Sequence, residues 1–152
     1  MMGADEYLET QVMTATPHQL HLMVVDGAIR FAKQAEAAFA DEDFETYHFS
    51  LNRAREFVNE LIGGLNPDHA EELVNRLKGL FGFVYQNLVR ADLERDPQLV
   101  RDALTILGMH RETWCQLGAA LSAEQQQAPT GSQGEGNPGP REPHLPGNSW
   151  VS

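Results

Sequence analysis

The chain has 152 residues, 41% of them hydrophobic, which suffices for one compact core and gives no reason to expect two independently folded domains. Eleven Lys and Arg against 22 Asp and Glu leave a formal charge of −11, which repels phosphate backbones and argues against nucleic acid as a partner. Charged residues recur within every hydrophobic segment, so none approaches the roughly 20 apolar residues of a membrane span, and no membrane insertion is expected.

The N-terminal segment 1–15, MMGADEYLETQVMTA, carries Asp5, Glu6 and Glu9 where a secretory signal needs basic residues and an apolar run, so a cytoplasmic location is expected. It reads as a cap segment ahead of a helical bundle spanning 16–124. The first bundle helix opens at Thr16-Pro17-His18-Gln19: Thr16 caps, Pro17 fits the first helical position, and Gln19 reaches back to complete a capping box. It is expected to run to about Phe39. Its apolar residues, among them Leu20, Leu22, Val24, Val25, Ala28, Ile29, Phe31 and Phe39, spread over roughly 200° of the helix, more than a surface helix of a monomeric bundle normally buries. The surplus is expected to meet the N-terminal segment (Tyr7, Leu8, Val12, Met13), a second subunit or a ligand polypeptide.

The second helix follows the acidic turn Asp41-Glu42-Asp43, with Phe44, Tyr47, Leu51, Ala54, Val58, Leu61 and Leu65 in steps of three and four, and loosens at Gly63 and Gly64. The third is expected from about Asn66-Pro67-Asp68, with Glu71 and Glu72 in its first turn and a stripe of Leu73, Leu77, Leu80, Val84, Leu88 and Ala91. The fourth opens at Asp96-Pro97, carries Val100, Ala103, Leu107, His110, Trp114, Leu117 and Leu121, and is expected to fade before Gln125. Long helices joined by short links fold back on one another, so the fold class is all-α, an antiparallel up-and-down four-helix bundle. From Gln125 to Ser152 five Gly and five Pro appear with almost no aliphatic residue, and a disordered tail is expected over 125–152.

Chemistry finds little purchase. Glu45 and His48 have a metal-binding spacing but occur once, where di-iron bundles carry the motif on two helices. His18 and His21, three apart, have no carboxylate or Cys near them in sequence and are expected to be solvated. His110 interrupts an apolar stripe beside Trp114 and is expected to be a hydrogen-bonded core or groove residue. The single cysteine, Cys115, excludes an internal disulfide and reads as a small apolar residue in a reducing compartment. No nucleophile elbow or phosphate loop is present. No enzymatic activity, metal or cofactor is expected. Phe49, Phe57 and Phe83 lie off their stripes, and with Met23 and Met109 they suggest an adaptable apolar groove for an amphipathic helix.

Tyr7, then Thr14-Ala15-Thr16-Pro17, then Gln19-Leu20 and the run Leu22 to Phe31 resemble the N-terminal signature of the flagellar secretion chaperone FliS family. Tyr85-Gln-Asn-Leu88-Val89-Arg-Ala91-Asp92 is similar to that family's third helix, and Trp114 falls where its last helix carries a tryptophan. Val25 stands where the family usually has tyrosine, and Asp92 where it usually has asparagine. The resemblance covers about residues 7–121. It implies a cytoplasmic export chaperone that binds the disordered C-terminal region of flagellin in an apolar groove, prevents premature polymerisation and supports flagellar type III secretion. The expected partner contacts are Leu22, Met23, Val25, Tyr85, Leu88 and Asp92, with Tyr7 in the N-terminal cover. The flagellar export apparatus is a further expected partner. The same face also suits an adaptor for another protein, or a homodimer.

Overall fold

The computed structural model describes residues 3–66, 68 and 70–127. Five helices follow in order: α1 (Ala4–Thr14), α2 (Pro17–Ala40), α3 (Phe44–Gly63), α4 (Glu71–Leu93) and α5 (Pro97–Gln127). No strand occurs among the described residues. Helices α2 to α5 form the expected up-and-down bundle, each packed on the next and α5 returning to α2, so that four antiparallel seams close a ring. α1 stands apart from it and packs against none of the four as they pack against one another.

Helix starts follow from local chemistry. Pro17 disfavours a helical conformation at Thr16, which is extended at φ −72° and ψ 163°. Gln19 N–H donates to the Thr16 hydroxyl at 3.1 Å, and Thr16 N–H donates to Gln19 Oε1 at 3.0 Å, so the capping box is formed. Asp43 caps α3 through Thr46 N–H at 3.1 Å, and Asp96 receives Gln98 N–H at 3.0 Å at the head of α5. α4 begins later than expected, at Glu71, because Asn66 Oδ1 takes the N–H of Asp68 in a local turn instead of capping a helix. The links between α2, α3, α4 and α5 each contain a residue with positive φ, namely Glu42 at 58°, Ala70 at 46° and Arg95 at 50°. Such a residue costs about 1 kcal/mol and reverses the chain quickly enough for sequential helices to be antiparallel neighbours.

The core is built from Val25, Ala28, Ala32 and Ala35 of α2, Tyr47, Leu51, Ala54, Val58 and Leu61 of α3, Val74, Phe81, Val84 and Leu88 of α4, and Val100, Ala103 and Leu107 of α5. α2 contributes small residues where its neighbours contribute large ones, which lets the facing layers interdigitate. Tyr47 extends into the core and donates its hydroxyl to the Ala91 carbonyl at 2.6 Å, and burial, with Asp92 and Asp96 next, pushes the phenol up to about 12.

Four further expectations are corrected. The surplus apolar arc of α2 is not an open face: α3 flanks one shoulder, where Phe31 stacks on Phe57, and α5 flanks the other, so no large apolar residue of α2 is exposed. Among the described residues, the N-terminal segment does not cover it, and Tyr7, Leu8 and Met13 of α1 are exposed. The stripe of α4 is rotated, with Val74 and Phe81 inside while Leu73 is exposed and Leu80 only half-buried. α5 also continues to Gln127, past its expected end before Gln125. The rest of the expected 125–152 tail lies outside the described residues.

Gly27 sets the α2/α3 spacing: a Cβ there would lie 2.6 Å from the Phe57 ring, itself stacked on Phe31. Alanine normally stabilises a helix interior by about 1 kcal/mol over glycine. At Gly27 overpacking reverses the sign, and Gly27→Ala is expected to destabilise by about 1–3 kcal/mol. At Gly79, where a Cβ meets nothing within 4 Å, alanine is expected to stabilise. Denaturant unfolding of the two variants measures the opposite signs.

Candidate functional site

Two features of the surface and one of the interior stand out. The first is the seam between α4 and α5. Antiparallel pairing sets Leu80 of α4 beside Ile106, Met109, His110 and Thr113 of α5 around an apolar cleft. By helical periodicity Leu73 and Phe83 project to the same side of α4 as Leu80, and Leu117 continues the α5 edge. Phe83 is 55% exposed and Met109 66%, with Leu73 and Leu117 also exposed. Exposed apolar side chains gathered along one seam make it the candidate interaction surface. The residues off their stripes pointed toward it in Phe83 and Met109. Leu73, Leu80 and Leu117 were missed because each fits a core stripe by spacing.

The second is the junction of α1 and α2, where Leu22 and Met23 line a small hollow with Thr14, Ala15 and Gln19. Among the residues expected to touch a partner, these two are half-buried, as is Tyr85 at the edge of α4, and Tyr7 is exposed on α1. Val25 and Leu88 have no exposed surface and belong to the core. Asp92 is 16% exposed at its side chain and held across the α3/α4 seam, 2.6 Å from His48 Nδ1 and 3.4 Å from Arg55 Nη1. His48 thus bonds through Nδ1 to Asp92 on the neighbouring helix. Among the described residues no three His, Cys, Asp or Glu groups are placed to hold a metal ion.

The third feature is a knot of aromatic and imidazole rings where α5 closes on α2. His21 is fully buried, contrary to the solvated histidine expected, and its Nε2 lies 2.6 Å from Nε2 of His110. One ring must donate and the other accept, so the two hold complementary tautomers. Trp114 Nε1 donates to the His18 carbonyl at 3.1 Å, while His18 Nε2 donates to the Trp114 carbonyl at 2.8 Å. The His18 and Trp114 rings are stacked within 9° of parallel. Gly118 makes room for this stack, since a Cβ there would collide with the His18 ring. His110 is a hydrogen-bonded core histidine, as its place in the stripe suggested. His18–His21 and His110–Trp114 were each visible in sequence, but nothing local announced that they face one another. Nearer the middle of the same seam, Arg111 forms an ion pair with Asp26.

The fold is an antiparallel helical bundle with apolar side chains exposed along one seam. No described helix is long and apolar enough to cross a membrane. The family model of the flagellar protein FliS matches residues 2–121, and the chain belongs to the FliS family. It is similar to the flagellar secretion chaperone FliS of Bacillus subtilis, with 28% identity over 110 residues that cover 72% of this chain and 81% of that one. The Salmonella typhimurium protein of the same name is 28% identical over 123 residues, 80% of this chain and 91% of its own. That of Campylobacter jejuni is 27% identical over 113 residues, 74% and 88%. These relatives are flagellar secretion chaperones by name.

Burial, with the neighbouring His110 and His18 next, holds the His21 imidazole down to about 3, and burial also lowers His110. The unfolded chain therefore binds more protons than the folded one below pH 6.5, so this stability is complete above that pH and is lost as pH falls toward 3. Between pH 6.5 and 5 one such histidine removes about 1.6 kcal/mol. Denaturant unfolding at the two pH values is expected to show at least that loss in the wild type and a smaller one in His21→Leu.

Proposed function

We propose that the protein is a cytoplasmic export chaperone that binds the disordered C-terminal segment of flagellin, keeps it from polymerising, and delivers it to the flagellar type III export apparatus. The observation that carries this reading is the α4/α5 strip, whose apolar side chains stay exposed although the bundle is already closed. Membership of the FliS family supports the choice of partner.

Energetics favour a long apolar contact. A segment that folds as it binds gives up about 2–5 kcal/mol in ordering, while burial returns about 25 cal/mol per Å² of apolar surface. A short polar contact does not cover the difference. An amphipathic helix of the partner fits the cleft between Leu80, Ile106 and Met109, with Phe83 and Leu117 to either side. Leu22, Met23, Tyr85 and Asp92 lie on other sides of the bundle and become contacts when the partner segment wraps around it. Val25 and Leu88 act beneath the surface by fixing the helices. α1 serves as an arm: at 11 residues it is too short to be stable alone in water, so its exposed Tyr7 and Leu8 gain from packing on bound polypeptide.

Isothermal calorimetry with the C-terminal flagellin peptide of the same genome tests the proposal. The wild type is expected to bind. The double variant Phe83→Glu with Met109→Glu is expected to lose at least tenfold in affinity, about 1.4 kcal/mol, with an unchanged unfolding midpoint because both side chains are exposed. Absence of wild-type binding would overturn the reading, and binding unaffected by the double variant would move the contact elsewhere.

A further inference from the structure

We propose that the outer seam between α2 and α5 is a second docking site, and that its occupant is an acidic segment of a protein other than the one held by the α4/α5 strip. A cleft of about 720 Å³ opens there. Ile29 of α2 and Leu104 of α5 are half-buried and form its floor, while Arg30, Lys33 and Arg111 are exposed at its rim with Asp26 beside them. An ion pair closes the seam at each end, Asp26 with Arg111 and Glu36 with Arg101, the latter at 3.9 Å. Between those pairs Arg30 and Lys33 form no salt bridge among the described residues. Arg30 rests its guanidinium 5.1 Å from the centre of the Phe31 ring, which holds the charge at the edge of the cleft.

Three cations against one carboxylate make the rim locally positive on a chain whose formal charge is −11. At physiological salt the Debye length is about 8 Å, so distant carboxylates are largely screened while the rim acts on a bound ligand directly. Gly108 keeps the cleft open. Unlike Gly27 and Gly118 it makes room for no neighbour in the chain, because a Cβ there would meet nothing within 4 Å. Glycine weakens a helix interior, so packing within the bundle gains nothing from it at this position. What it leaves is space above Leu104 and Ile29 for an apolar side chain from outside.

From Asp26 to Lys33 α2 rises about 10 Å, the length of three extended residues or two helical turns. Arg30 and Lys33 are about one turn apart. A segment with carboxylates on either side of an aliphatic residue therefore meets both cations and the floor together. A polyphosphate would leave the floor unused and set its charge beside Asp26. The α4/α5 cleft lies on the other flank of α5, at Ile106, Met109 and Thr113, so the two sites can be filled at once.

The probe is the blocked hexapeptide acetyl-Asp-Glu-Leu-Leu-Glu-Asp-amide, titrated into the isotope-labelled full chain and followed by amide NMR shifts. Saturable shifts at Arg30, Lys33 and Gly108 are expected, with a Kd of about 1 mM or tighter. The same peptide with every acid replaced by its amide is expected to produce none. Shifts confined to other faces, or an equal response to the amide peptide, would refute the site. Tripolyphosphate bound there more tightly than the peptide would make it a phosphate site, and the same shifts on concentrating the protein alone would make the occupant a second copy. Either result overturns the proposal. Arg30→Glu with Lys33→Glu reverses the local charge and is expected to weaken the peptide about tenfold or more. Gly108→Leu fills the cleft while favouring the helix, and is expected to weaken it about fivefold or more. Unchanged affinity in both variants would refute the site, and should the double variant fail to fold, Gly108→Leu decides. The dependent arm rests on the reading of the α4/α5 strip: the flagellin peptide is expected not to displace the hexapeptide. Displacement would assign the cleft to the same polypeptide and overturn the second partner. No flagellin binding at all would overturn the strip reading alone and leave the hexapeptide result standing.

Discussion

A four-helix bundle holds together only if its last helix returns to its first, and in this protein that closure depends on the seam between α2 and α5. The other three seams join helices adjacent in the chain, whose short links bring them together at small entropic cost. The α2/α5 seam has no such help. Its bonds span 85 to 96 residues, from Arg111 and Asp26 to the exchange between His18 and Trp114. Buried polar groups are costly unless each finds a partner, so the His21–His110 pair and the His18–Trp114 exchange penalise any arrangement that misplaces α5 by even one residue. Closure and register are thus fixed by the same few atoms.

Backbone spacing at the seams is set as much by absent side chains as by present ones. Gly27 lets the Phe57 ring lie on α2, and Gly118 lets His18 lie flat on Trp114. Between them the alanines of α2 bring its axis close to its neighbours, and Tyr47, Leu51 and Phe81 fill the space from the other side. These pairings are why the wide apolar arc of α2 is consumed internally. A helix flanked on both shoulders buries more of its circumference than one with a single apolar seam.

What α2 hides, α4 and α5 show. α5 has 31 residues against 23 in α4 and 24 in α2, and Gly118 already lies level with the first turn of α2. The residues beyond it have no α2 to pack on, which leaves Leu121 exposed, while Leu117 is exposed at the same level as the first turn of α2. The rotation of α4 that turns Phe81 and Val74 inward carries Leu73 and Phe83 outward. Such a surface invites self-association, and the strong negative charge of the chain opposes it by mutual repulsion. A partner segment is then free to compete for the strip.

Periodicity, caps and link lengths in the sequence determined the class, the number of bundle helices and their up-and-down order. These are local matters: Thr16 and Gln19 close a capping box, and Asp96 meets Gln98, whatever the rest of the chain does. Family membership was legible too, because the run from Thr14 to Phe31 is distinctive in order. Only the tertiary structure decided which apolar residues are left over. Leu73, Leu80 and Leu117 carry the same spacing signal as core residues, and how far each is left uncovered depends on how α4 and α5 are rotated against their neighbours, which results from packing between helices. Likewise His21 and His110 are two unremarkable histidines 89 residues apart until the closing seam sets them face to face. A sequence records each residue's own preference, but a surface, like a buried pair, is a property of what the neighbouring helices leave uncovered.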